Sequence, residues 1–240
     1  ALLRHRDRGD AAARPVPHDL RDAPVDVFIL AGAETLETLA AWSPAIKKAA
    51  PLDQWAYEGL QLSLRNYNPD SKFAGDLRTY LLRQQSLLKH AGTLDKRHLA
   101  FEVLAAGWMA ANIGDKSGAL QAYSSVKSLK RENSFPANSD MALALLAELD
   151  LADGNPRAAI AKLESRAGKG DELYFLHAVL MRAYAANKNY EKALEQADWL
   201  ATNRGLAYVE YNSINMWQPA NVVESDLALL AAAHYAEKLG

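Results

Sequence analysis

The chain has 240 residues, half of them hydrophobic and 23% charged, with a formal net charge of −2. That composition admits a large buried core and excludes a fully disordered chain, and the charge balance gives no support for a nucleic-acid binder, which shows a strongly basic face. The absence of cysteine removes disulfides, thiolate metal sites and cysteine nucleophiles, and no apolar run reaches the length of a membrane span. No secretory signal is visible, and a cysteine-free chain suits cytoplasm and periplasm equally.

Residues 1–24 alternate Arg4, Arg6 and Arg8 with Asp7 and Asp10, and are broken by Pro15, Pro17 and Pro24. They read as an extended arm or linker with no core of its own, or as a juxtamembrane or interdomain segment of a longer protein. From residue 25 the apolar spacing is helical nearly throughout. A helix is expected over 25–42, ended by Ser43-Pro44, then a short piece over 46–50 before Pro51, and a helix over 53–66 capped by Asp53. Helices over 71–91 and 94–113 are stopped by Gly92 and Gly114, and one over 116–131 follows. The next, over 139–153, ends at Gly154-Asn155-Pro156, with proline at the following helix start. Helices over 157–167, 171–187 and 190–204 lead to Gly205. Asn221 and Glu224 form a capping box that opens a last helix to Leu239. No strand-like alternation intervenes, so the fold class is all-α, a bundle or a solenoid.

A repeat separates those two. Val103, Ala106, Gly107 and Ala110 precede the turn Gly114-Asp115 and then Ala119 and Tyr123. Leu143, Leu146, Ala147 and Asp150 precede Gly154-Asn155 and then Ala159 and Leu163. His177, Leu180, Met181 and Tyr184 precede Lys188-Asn189 and then Ala193 and Ala197. The second-helix alanines lie 40 and 34 residues apart. Small residues at these positions let two helices approach closely, and the turn needs a residue tolerant of left-handed backbone.

This pattern resembles the tetratricopeptide (TPR) repeat, whose period is 34 residues. Trp55, Gly59 and Leu62 resemble a divergent earlier unit. The resemblance implies a right-handed α-α superhelix organised as an arm (1–24), N-terminal helices (25–92), three repeats (93–204), and a long loop with a capping helix (205–240). It further implies that first helices line a concave groove holding a protein or peptide, with Phe101, Leu104, Trp108, Asn112, Met141, Glu148, Phe175 and Arg182 as groove residues. The aromatics among them fit inter-repeat core equally well. The long segment 202–220 supplies a loop candidate, Tyr208, Tyr211, Asn212 and Trp217, either as a lid on the last repeat or as a ligand contact. The stretches 204–210 and 221–230 resemble the end of TPR regions attached to bacterial nucleotide cyclases or Ser/Thr kinases, which implies a regulatory or sensor domain as an alternative.

No phosphate loop, His-Glu-x-x-His, nucleophile elbow or EF-hand loop is present. None of His5, His18, His90, His98, His177 and His234 pairs at metal-ligand spacing, so no metal and no cofactor is expected. Lys127, Lys130 and Arg131 complement a helix dipole. The sequence therefore favours a non-catalytic binding scaffold over a sensor domain, and both over a helical-repeat enzyme with a carboxylate pair.

Overall fold

The computed structural model describes residues 51–129, 135–210 and 217–240, and every regular element among them is a helix. The expected arm, the helices expected over 25–42 and 46–50, Lys130 and Arg131 lie outside the described residues. No helix among the described residues is long and apolar enough to cross a membrane.

The first elements are α1 (Pro51–Arg65), α2 (Phe73–His90), α3 (Thr93–Asn112) and α4 (Lys116–Lys127). They are followed by α5 (Pro136–Ala152), α6 (Pro156–Glu164), α7 (Tyr174–Ala186) and α8 (Tyr190–Thr202). The last two are α9 (Arg204–Val209) and α10 (Gln218–Leu239). α1 starts at Pro51, two residues before Asp53, because the fixed φ of proline suits a first helical turn and its missing N–H costs nothing there. The same residue type opens α5 and α6.

The turns after α3, α5 and α7 share one backbone. Gly114, Gly154 and Lys188 sit at φ 82°, 70° and 60°, in the left-handed region. The next residue's N–H then reaches back five residues, Asp115 to Ala110 at 2.8 Å, Asn155 to Asp150 at 2.8 Å and Asn189 to Tyr184 at 3.0 Å. That is the Schellman closure of a helix end. The same residue immediately caps the following helix: the side chains of Asp115, Asn155 and Asn189 accept from the N–H groups of Gly118, Ala158 and Lys192. One short tripartite signal thus ends one helix and starts the next, three times over.

Packing follows from the small residues. α3 packs on α4, α5 on α6, and α7 on α8, while α3 also packs on α5 and α5 on α7. Ala119, Ala147, Ala159 and Ala193 are fully buried at these contacts. Gly107 is tighter still: a Cβ there would lie 2.6 Å from both the Ala122 Cβ and the Leu145 Cδ1. Asp150 and His177, polar where the repeat is usually apolar, are matched locally. Asp150 takes Lys162. His177, buried, places its ring nitrogens against Gln196 Oε1 (2.8 Å) and Glu172 Oε1 (3.1 Å) and stacks on Trp199 at 3.5 Å.

The C-terminal part departs from expectation. The segment after Thr202 is not one long loop: α9 occupies its first third and packs on α10. α10 begins at Gln218, not at Asn221, with Pro219 in its first turn. Asn221 and Glu224 are therefore inside the helix and make no capping box. Both are buried, and tertiary partners claim them: Asn221 donates to Glu210 at 2.8 Å, and Glu224 receives Arg182. α10 lies along α8 and reaches α7 and α1, so its beginning joins the last helix pair to the first.

Candidate functional site

Trp108 on α3, Glu148 on α5 and Arg182 on α7 each stand six residues before the left-handed turn residue of their helix. They are the same position in three successive units, and they touch in order. Trp108 Nε1 donates to Glu148 Oε2 at 3.0 Å. Arg182 Nη2 lies 3.7 Å from the same oxygen, and its guanidinium sits 5.7 Å from the Trp108 ring and 6.0 Å from Phe175. Glu224 on α10 ends the row, with both carboxylate oxygens 2.8 Å from Arg182 Nη1. Tyr67, just beyond α1, donates its hydroxyl to Glu224 Oε1 at 2.9 Å.

The charges are strongly coupled. Burial works against the charge on Arg182, but Glu224, Glu148 and Tyr67 outweigh it and hold the guanidinium above its already high ordinary value. Burial pushes the Tyr67 phenol well above its usual range, and the Glu224 charge adds to that. A lone charge at such depth costs several kcal/mol, so the row is held together by mutual neutralisation. Two carboxylates against one guanidinium leave it net negative.

Beneath this row lies an aromatic cluster. Trp217 meets Phe101 at 6.1 Å, Trp108 at 5.6 Å and Phe175 at 4.7 Å, and Trp108 meets Phe175 at 4.8 Å, all edge to face. Each such pair contributes roughly 0.5–1.5 kcal/mol beyond area burial.

The expected groove set therefore divides. Phe101, Leu104, Trp108, Met141 and Phe175 are at most 2% exposed; they are core, sealed by Trp217, and no open wall. For the aromatics the reason is Trp217, whose indole meets Phe101 and Trp108 on α3 and Phe175 on α7 edge to face. Glu148 is nearly buried at 8%. Arg182 keeps 31% of its side chain exposed, and Asn112 is exposed at the end of α3, donating to Asn66 Oδ1 at 3.3 Å. Of the loop candidates, Tyr208 is half-buried and its carbonyl accepts from Gln218, and Trp217 is the aromatic plug. Tyr211 and Asn212 lie outside the described residues.

Sequence reasoning missed Asn66, Tyr67, Glu210 and Glu224 as partners. Glu224 had a helical signature that pointed to capping, and the rest carried none. Glu210 accepts from the Tyr174 backbone N–H at 2.7 Å and from Asn221, so it caps α7 from across the chain. Burial raises its carboxyl to about 7, only partly offset by those two donors. Two buried nitrogens by the row make no hydrogen bond: Arg182 Nη2, which keeps only its 3.7 Å ion-pair contact with Glu148, and Asn66 Nδ2. Neither nitrogen reaches the surface, so what the row presents outward is the exposed Asn112 amide and the exposed third of Arg182. No group of histidines and carboxylates among the described residues is arranged to hold a metal.

Against known proteins, no family model, no curated protein and no solved structure matches the chain. The class is therefore defined by the geometry alone: an all-α protein of short helices joined by tight, repeated turns.

Proposed function

We propose that this chain is a non-catalytic interaction scaffold built from TPR-like hairpins that stack as a right-handed superhelix, with the first helices on the inner side. The observation that carries the reading is the row Trp108–Glu148–Arg182, equivalent positions of consecutive units in mutual contact. A regular stacking of hairpins sets the same register position of successive units side by side, and the row supports that reading. The binding face proposed is the accessible end of that row, Asn112 and Arg182, with Asn66 buried behind Asn112. Side-chain amides and a guanidinium suit the carbonyl groups of a protein or peptide, because each supplies N–H donors in fixed geometry. The aromatics beneath give that face rigidity and make no contact with a partner.

The test is site-specific photo-crosslinking in cells of origin. A photoreactive phenylalanine analogue at Asn112 is compared with one at Leu120, which is exposed on α4. A discrete protein adduct from position 112 and none from 120 is expected. Adducts from 120 alone, or from neither site, would remove this face from consideration.

A further inference from the structure

α1 and α2 meet differently from the other pairs. The α3–α4, α5–α6 and α7–α8 pairs close on buried alanine and glycine; here two ion pairs span a gap. Glu58 on α1 pairs with Arg83 on α2, and Arg65 on α1 pairs with Asp76 on α2 at 2.8 Å. On each helix the two charges are two turns apart, about 10 Å. Their order is reversed between the helices: at one end α1 gives the acid, at the other the base. Between the pairs lies a cavity of about 280 Å³. Leu62 and Tyr80 line it and are buried; Gln61 and Thr79 also line it, from either helix.

Each end of this cleft has an unused donor and an accessible acceptor. Arg65 Nε and Arg83 Nε are buried and have no hydrogen-bond partner. The guanidiniums are recessed, with side chains 19% and 32% exposed, while Glu58 and Asp76 are 44% and 53% exposed. Arg65 also holds Asp70 at 2.8 Å, and both arginines line the cavity with the Nε N–H of each unpaired.

We propose that the α1–α2 cleft is a binding site for a small zwitterionic peptide of two or three residues. Its ammonium group meets a carboxylate at one end and its carboxylate an arginine N–H at the other. Extended peptide advances about 3.3 Å per residue, so three residues span the two pairs. The volume falls just short of the roughly 300–1,000 Å³ of sites for drug-sized ligands, which limits the occupant to this size. The reversed order of the pairs lets the peptide bind in either direction, so the site recognises opposite charges at a fixed separation and not a side-chain sequence. It is separate from the Asn112–Arg182 face.

The experiment titrates trialanine with free ends into the ¹⁵N-labelled full chain, with N-acetyl-trialanine and trialanine amide as parallel probes. Saturable shifts of the Gln61, Thr79 and Tyr80 amides are expected with the free peptide. Each blocked form should bind at least about tenfold more weakly, since it loses one charge-assisted contact. Two variants accompany it. Arg83→Gln removes the guanidinium, and with it the unused N–H and the pair with Glu58, and should weaken binding about tenfold. Thr79→Leu fills the cleft from an exposed helix position without touching either ion pair, and should abolish binding while helix content and Tm stay unchanged. Absence of saturable shifts with the folded wild-type chain overturns the proposal. So does equal binding of the blocked peptides, or undiminished binding to Thr79→Leu.

Discussion

Gly107→Ala asks whether α3 is held against α4 and α5 as tightly as the coordinates place it. The added methyl would stand 2.6 Å from the Ala122 Cβ and 2.6 Å from Leu145 Cδ1. Carbon atoms prefer roughly 3.5–4.0 Å, so the helices must part by about 1 Å or Leu145 must leave its rotamer. Ala122 has no rotamer to change, and Leu145 is fully buried. Overpacking of this kind costs about 1–3 kcal/mol, and clashes on both sides put it in the upper half. Against that, alanine in a helix gains about 1 kcal/mol over glycine. The net expectation is a loss of about 1–2 kcal/mol, or roughly 2–8 °C in Tm for a chain of this size. The control is Gly75→Ala on α2, where a Cβ meets nothing within 4 Å. Only the propensity gain applies there, so that variant should be more stable by about 0.5–1 kcal/mol. Urea unfolding followed by circular dichroism at 222 nm reads both. If Gly107→Ala matched or exceeded Gly75→Ala in stability, the close approach of these helices, and the stacking proposed from it, would be refuted.

Arg182→Ala leaves Glu224, 1% exposed, without its cation. Breaking a buried pair costs about 3–5 kcal/mol; with Arg182 one-third exposed the expected loss is about 2–4 kcal/mol. Adding Glu224→Gln should recover part of it, and a single variant within 0.5 kcal/mol of wild type would contradict the network. Glu172 and Glu210 predict opposite pH responses. Burial pushes Glu172 up, but its own backbone N–H, His177 and the N–H groups of Gly168 and Gly170 together bring it down to about 2. Its contribution, on the order of 1–3 kcal/mol, is present above the unfolded value near 4.3 and is lost as pH falls toward 2. Glu172→Gln should therefore be less stable than wild type at pH 7 and converge with it near pH 2. Glu210, raised to about 7, is bound to a proton in the folded state across the range where the unfolded chain has lost it. Stability from this residue falls as pH rises from about 4.3 to 7, so Glu210→Gln should gain on wild type over that interval in thermal melts; a gap constant with pH would disprove it. Lys188 adopts the left-handed backbone that its counterparts meet with glycine. Lys188→Gly should stabilise by about 0.5–1 kcal/mol and Gly154→Ala should destabilise by about 1 kcal/mol, and the reverse order in Tm would count against the shared turn.

The helices and their turns were legible because their causes are local. Gly114-Asp115, Gly154-Asn155 and Lys188-Asn189 each terminate and restart a helix through bonds spanning five residues or fewer. The small residues at Gly107, Ala147 and Ala193 were legible for a related reason: periodicity of size along one helix face requires no knowledge of what lies opposite. Local signals misled where a distant partner outcompeted them. Asn221 and Glu224 have the spacing of a capping box, but Glu210 and Arg182 bind them instead, and α10 starts a turn earlier.

By itself the sequence determined that the chain is helical, where most helices break, and which small side chains let them touch. Tertiary structure alone decided between the two readings of Phe101, Trp108 and Phe175: Trp217 comes back across α3 and α7 and makes them core. It also decided that Tyr67 and Glu224, 157 residues apart, share a hydrogen bond. Helix ends are set by backbone groups a few residues away, whereas the fate of a side chain depends on which remote segment covers it, and no spacing within one helix encodes that.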